Sequence, residues 1–149
     1  MESIKHILVP TDFGESAERA TDYALALAGK FDAKLTLMHV YSTPTYTYAE
    51  GFLWPVEELA RGAQVALGTV VETLKQRNAG IDSALVMGAP WEQILLVAKQ
   101  RGVDLIVMGT HGRRGLSRML LGSVAERVVR MSPVPVLAIP SAEHASPQT

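Results

Sequence analysis

The feature that most constrains this chain is Leu105 to Met108, an unbroken apolar run that stops at Gly109. A strand that is apolar at every position must be covered on both faces. It therefore belongs inside a parallel sheet with helices above and below, not in an antiparallel sheet with one wet face. Beyond a glycine-bearing loop, Val124, Val128 and Met131 recur at helical spacing while Glu126, Arg127 and Arg130 can face outward. This helix opens near Gly122-Ser123, with Ser123 serving as N-cap or as a first-turn residue.

The rest of the chain repeats the alternation. Ile7-Leu8-Val9 is a first strand whose carboxyl end carries Pro10, Thr11 and Asp12. The helix after it has the stripe Ala20, Ala24, Leu27 and Phe31, and either Asp12-x-x-Glu15 or Ser16 can cap it. Leu35 to Tyr41 is the second strand. A long helix from Val56 to about Arg77 follows, buried on Leu59, Ala63, Leu67, Val70 and Leu74. Ser83 to Met87 is the third strand, and Trp91 to Arg101 is a helix on Trp91, Ile94, Leu95 and Ala98. The last strand is Val134 to Ile139; Pro135 lacks a ladder donor and assigns it to a sheet edge. Strand and helix alternate throughout and the chain closes on a strand, which predicts a single-domain doubly wound α/β fold. That is a five-stranded parallel sheet with helices on both faces, over residues 1–140. The polar segment 141–149 is expected to be a disordered tail. Ser42 to Pro55 reads as a long aromatic loop.

Composition narrows the function. A chain of 149 residues buries about 68 to 70% of its unfolded surface, enough for a core without disulfides, and it has no cysteine. No apolar run approaches the ~20 residues needed to span a bilayer, and the N-terminus has no signal-like segment, so a cytoplasmic, soluble protein with no membrane partner is expected. A net charge of −1 argues against a general nucleic-acid binder. Any anion site must be local. His6, His39, His111 and His144 lack the spacing of a zinc helix, so no metal site is expected. His6 and His39 lie in or beside apolar strands and read as structural, whereas His111 is placed to meet a ligand or solvent. No Gly-x-Ser-x-Gly elbow or cysteine nucleophile is present, and no catalytic residue is assigned.

The local anion site is legible between Gly109 and Val124. A helix N-terminus exposes unpaired N–H groups and partial positive charge, so it draws phosphate. Gly109, Gly112 and Gly122 would keep Cβ atoms out of the way and make positive φ accessible. Arg113, Arg114, Arg118, Arg127 and Arg130 accompany the single acid Glu126, a charge excess suited to a polyanion. A plain turn beside a solvated cationic face would look the same locally. Leu121-Gly122-Ser123 lacks the lysine of a Walker A loop, and Gly109-Thr110-His111-Gly112 lacks the Rossmann spacing. Asp12, at the end of a buried strand, suits either a helix cap or a ligand contact, and its place at the strand's carboxyl end favours the ligand.

The spacing that remains is Gly109, two residues, Gly112, nine residues, then Gly122-Ser123. It resembles the signature of the ATP-binding branch of the universal stress protein family, and the likeness runs from Lys5 to Ile139. The resemblance implies the strand order 3-2-1-4-5. It implies an adenine-nucleotide site with Pro10, Thr11, Asp12 and Val40 at the adenosine, Val40 through its backbone. Met108 and Gly109 would lie beside the ribose, and Gly112, Arg113, Gly122, Ser123 and Val124 around the phosphates. ATP is the implied ligand, with any Mg²⁺ held mainly by ATP oxygens and water. The implied role is a stress-response binding or signalling module without fast catalysis. The alternatives are a slow ATPase or nucleotidyl-transfer enzyme of related fold, and a dimer acting through an unidentified protein partner without nucleotide. The first is weakened because Pro10-Thr11-Asp12-Phe13-Gly14 is not a pyrophosphate-wrapping Ser-Gly-Gly turn. Finally, Val134 to Ile139 is an uncharged edge, which predicts a homodimer that covers it.

Overall fold

The computed structural model describes residues 3–42, 56–78, 80–111 and 121–142. Its elements run β1 (His6–Pro10), α1 (Glu15–Phe31), β2 (Lys34–Tyr41), α2 (Val56–Lys75), β3 (Ile81–Met87), α3 (Pro90–Gln100), β4 (Leu105–Gly109), α4 (Ser123–Met131) and β5 (Val136–Ile139). The strands form one five-stranded sheet in the order β3-β2-β1-β4-β5, every pairing parallel. This is the doubly wound fold and the strand order that the sequence and its resemblance imply. The order reverses between β1 and β4, and the carboxyl ends of those two strands open a crevice there.

Side-chain alternation along each strand divides the interior into two cores. Ile7, Val9, Leu35, Leu37, Leu105 and Val107 pack with Ala20 and Ala24 of α1 and Leu67, Val71 and Leu74 of α2. Leu8, Met38, Ile106 and Met108 face the other way, onto Ile94 and Val97 of α3 and Ala125 and Val128 of α4. Ile7, Leu8 and Val9 are wholly buried because β1 lies mid-sheet with helices on both faces. Small alanines line α1, so the helix axis comes close to the sheet.

Several boundaries differ from expectation. β3 begins at Ile81, before Ser83, because pairing with β2 runs on through Ile81 and Asp82. α2 ends at Lys75, α3 spans Pro90–Gln100, and β5 begins at Val136. Pro135 lies outside that strand, yet its carbonyl still accepts the Ile106 amide at 3.0 Å, so only the missing N–H separates it from the ladder. Neither predicted cap of α1 forms: its N-cap is Gly14, without a side-chain cap bond. Ser16 is buried and donates instead to the Ile139 carbonyl at 3.0 Å. Phe31 and Met131 end their helices about half exposed, beyond the edge of the core, while Val71 on α2 is buried and Val70 beside it packs partly buried against the same core. The aromatic loop falls on residues 43–55 beyond Ser42, and the expected tail, 141–149, falls on 143–149 beyond Ser141 and Ala142, all of 43–55 and 143–149 lying outside the described residues; the Ala142 amide donates to Glu15 Oε1 at 3.1 Å.

At the amino ends of the strands, a row of polar side chains crosses three strands beneath the end of α3. His6 is buried. Its Nδ1 lies 3.2 Å from the Arg101 carbonyl and its Nε2 lies 2.7 Å from Thr36 Oγ1. Thr36 donates in turn to Asp82 Oδ1 at 2.6 Å. Lys34 pairs with Asp82 at 3.0 Å and Arg101 lies 3.8 Å from it. Asp104 closes the row by accepting the amides of Lys5 and His6 at 2.8 and 2.9 Å. Burial alone would raise the Asp82 pKa, but the hydrogen bonds from Thr36 and Lys34, with the charges of Lys34 and Arg101, outweigh it. The carboxyl is held below its ordinary value. His6 is therefore structural, as its place in an apolar strand suggests.

Candidate functional site

The crevice at the switch point is a cavity of about 450 Å³. Pro10, Thr11, Asp12, Val40, Met108, Gly109, Gly122, Ser123 and Val124 all line it. These are the predicted site residues that fall among the described ones; Gly112 and Arg113 lie outside them. Chain segments more than a hundred residues apart meet here because β1 and β4 are neighbours, in register from Ile7 opposite Leu105.

One wall is the turn after β1. The Thr11 amide donates to the Met38 carbonyl at 2.8 Å, extending the β1–β2 pairing one step past the strand. The chain then folds tightly. Phe13 N–H donates to Thr11 Oγ1 at 3.0 Å, Gly14 N–H donates to Asp12 Oδ1 at 2.9 Å, and Phe13 itself is left-handed with φ 66°. Asp12 is thus not the helix cap: one carboxylate oxygen organises the turn, two residues ahead of the N-cap Gly14. The second oxygen has no hydrogen-bond partner among the described residues.

The opposite wall is the start of α4. Thr110 continues β4 by donating its amide to Ile139 O at 2.9 Å, and its carbonyl accepts the Gly122 amide at 2.7 Å. That pair of bonds brings the far end of the loop back to β4. Gly122 is the N-cap, without a side-chain cap bond, and Ser123 is the first helical residue. The N-caps of α1 and α3, Gly14 and Ala89, also make no side-chain cap bond. Of the three helix starts, that of α4 presents Gly122, Ser123 and Val124 to the cavity, and its first-turn amides, without a side-chain cap, favour an anion there. Met38, Val40, Ile94 and Met108 supply an apolar side to the same cavity.

The glycines require a correction. Gly122 has φ −61° and Gly109 is not left-handed; among the described residues only Gly88 and Gly102 are glycines with positive φ. A Cβ on Gly109 would overlap Ser16 Oγ and lie 2.8 Å from both the carbonyl carbon and Cβ of Ser16. Gly109 is needed so that β4 can pass under the start of α1. Its contribution to the ligand side is only what its backbone offers.

The cavity also contains residues that motif reading passes over: Ala17, Met38, His39, Pro90, Ile94, Thr110 and Ala125. Each lies at the carboxyl end of a strand or in the first turns of the helix after a strand, so the strand order, once known, points to them. His39 in particular is not just a strand residue. Its Nδ1 lies 2.8 Å from the Thr11 carbonyl and its ring centroid 4.6 Å from that of Phe13. His111 borders the cavity, with its Nδ1 2.8 Å from Thr110 Oγ1. Among the described residues no group of three or more His, Asp or Glu could hold a metal ion, and no helix is long and apolar enough to cross a membrane.

Fold and crevice together define a doubly wound parallel α/β protein with an open cavity at the topological switch point. The model of the universal stress protein family matches residues 3–140, and the chain belongs to that family. Universal stress protein MJ0531 of Methanocaldococcus jannaschii is 36% identical over 138 residues, covering 91% of this chain and 81% of that protein. MJ0577 of the same organism is 32% identical, covering 91% and 94%. The solved structure of MJ0577 superposes with a TM-score of 0.78 over 93% of this chain and 97% of its own. A universal stress protein solved in complex with cAMP superposes with a TM-score of 0.67 at 29% identity, covering 93% and 98%.

Proposed function

We propose that this protein binds an adenine nucleotide, ATP foremost, in the crevice between β1 and β4, and acts as a cytoplasmic stress-response binding or signalling module without fast catalysis. The observation that carries the reading is the uncapped N-terminus of α4, whose Gly122, Ser123 and Val124 face the same cavity as an apolar slot and a carboxylate turn. A nucleotide has those three parts: phosphates, a flat apolar base and a sugar-base edge rich in hydrogen-bonding groups. A complex of a related family member with cAMP supports the ligand class.

In this reading Pro10, Thr11, Asp12 and the Val40 backbone hold the adenosine, and Met108 and Gly109 border the ribose. Gly122, Ser123 and Val124 receive the phosphates, joined by Gly112 and Arg113 from outside the described residues. The phosphate charge is met mainly by backbone dipoles in a partly enclosed site, where they act more strongly than in bulk water. Mg²⁺, when present, would travel with the nucleotide, held by phosphate oxygens and water. The free edge of β5 supports a homodimer formed through Val134 to Ile139, a two-fold arrangement that would cover it.

The test is to purify the protein without added nucleotide, release bound small molecules by heat, and identify them by mass spectrometry, with calorimetry of ATP, ADP, AMP and adenosine alongside. Adenine nucleotide in the supernatant or saturable ATP binding is expected. ADP accumulating from added ATP would move the reading to a slow ATPase. Neither bound nucleotide nor ATP affinity would overturn it in favour of a dimer that acts through protein partners.

A further inference from the structure

The turn that carries Asp12 is an unusual piece of backbone. Phe13 is a bulky aromatic residue with φ 66°, a conformation such residues rarely adopt and keep only when their surroundings enforce it. The bonds within the turn, Phe13 N–H to Thr11 Oγ1 and Gly14 N–H to Asp12 Oδ1, fix its shape but not its place. Phe13 packs partly buried against the α1–α2 core, and the polar attachments of the turn to the sheet come from β2. The Met38 carbonyl takes the Thr11 amide at 2.8 Å, and the His39 ring reaches the Thr11 carbonyl, also at 2.8 Å. A carbonyl can only accept, so His39 Nδ1 carries a proton and donates it. The same ring packs against Phe13, with centroids 4.6 Å apart and planes tilted by 43°. One side chain therefore holds both the residue before Asp12 and the residue after it.

We propose that His39 is the positioning residue of the site: it clamps the Thr11–Gly14 turn onto β2 and so aims Asp12 into the cavity. The inference rests on the nucleotide reading for its ligand, although the clamp itself can be read without one. His39 acts through the turn. Three features of the geometry follow. The donor is Nδ1, the ring nitrogen close to the backbone, so a short amide side chain at this position can replace it. The contact with Phe13 needs a ring but no proton. The two functions are therefore separable by substitution.

His39→Asn keeps an N–H donor near the Nδ1 position, whereas His39→Phe keeps a ring and removes the donor. Loss of the Thr11 bond in His39→Phe should weaken adenosine and ATP by about fivefold to tenfold, and His39→Asn should restore most of the loss. In an Asp12→Ala background, His39→Phe should cost less than about twofold more, because its route to the ligand passes through Asp12. Amide exchange of the unliganded protein reads the clamp directly. Protection at Phe13 and Gly14 should fall in His39→Phe and return in His39→Asn, and nitrogen NMR should find the His39 proton on Nδ1. Equal exchange at Phe13 and Gly14 in all three proteins, or full additivity of the His39 and Asp12 substitutions, would overturn the proposal. If the wild type binds no adenine compound, the nucleotide reading fails while the exchange measurement still decides the clamp.

Discussion

Replacing Gly109 with alanine separates two explanations of the same glycine. The added Cβ would overlap Ser16 Oγ and sit 2.8 Å from two further Ser16 atoms, one of them the backbone carbonyl carbon. A side-chain rotation can relieve the first contact, but the carbonyl carbon moves only if the start of α1 moves. Forcing an extra methyl group into a packed interior costs about 1 to 3 kcal/mol. Displacing Ser16 also strains its bond to the Ile139 carbonyl, worth about 1 kcal/mol. Reduced freedom of the unfolded chain returns about 0.4 to 1 kcal/mol. The net loss is about 1 to 4 kcal/mol, which for a domain of this size lowers Tm by about 2 to 16 °C. Thermal and urea denaturation without nucleotide should show this loss. Adding Ser16→Gly should recover part of it, giving a non-zero coupling in the double-mutant cycle. A Gly109→Ala protein with unchanged Tm but no nucleotide affinity would refute the packing argument and return the glycine to the ligand.

Gly122→Val should abolish ATP binding with a native circular dichroism spectrum, because φ −61° at Gly122 suits valine while Gly122 lines the cavity that the new side chain would fill; retained affinity in calorimetry would remove this helix from the phosphate site. Asp12→Ala should weaken adenosine as well as ATP by about tenfold or more, the usual loss of a charged hydrogen-bond partner; a drop in Tm with adenosine affinity intact would leave Asp12 as a turn residue only. Because the folded-state pKa of Asp82 lies below its ordinary 3.8, its stabilisation is complete above that value and is lost as pH falls below it. The urea-midpoint gap between wild type and Asp82→Asn should therefore shrink from about pH 5 to about pH 3, and a constant gap would contradict the assignment. For the dimer, Leu137 is the cleaner probe than Val136, since Val136 packs partly against the α3–α4 core while Leu137 is exposed on the edge strand. Leu137→Asp should shift the protein toward monomer in light scattering, and a monomeric wild type at tens of micromolar would rule the interface out.

The fold was legible because apolar runs and helical stripes carry it directly: Leu105 to Met108, for example, can be covered on both faces only in a parallel sheet. Strand order was different. Nothing local in Ile7-Leu8-Val9 says that it pairs with β4, and that step came through the glycine spacing and the resemblance it carries. The α1 start departs from its sequence signal because a capping box and a carboxylate-organised turn draw on the same residue types. Asp12 and Glu15 have box spacing, but Phe13 takes a left-handed conformation that no sequence rule anticipates for an aromatic residue. His39 reads from the sequence as a structural strand residue, and its hold on the turn leaves no signal there for a related reason. Its partner, the Thr11 carbonyl, is a backbone atom, and backbone partners leave no pattern in a side-chain motif.

The row of His6, Thr36 and Asp82 has a consequence for how the sheet finds its alignment. These residues sit on three neighbouring strands with the α3–α4 face in common, among side chains that are otherwise aliphatic. Slip β1 against β2 by one place and His6 would turn toward the α1–α2 interior, facing Leu35 and Leu37 with nothing to receive its ring nitrogens. Each polar group stranded in that way costs about 1 to 3 kcal/mol, whereas sliding one aliphatic residue past another costs far less. The row thus acts as a vernier at the closed end of the molecule, with a single setting at which all its marks coincide. That setting places Pro10 opposite Met38 at the other end of the strands, and so decides, a strand's length away, where the crevice lies.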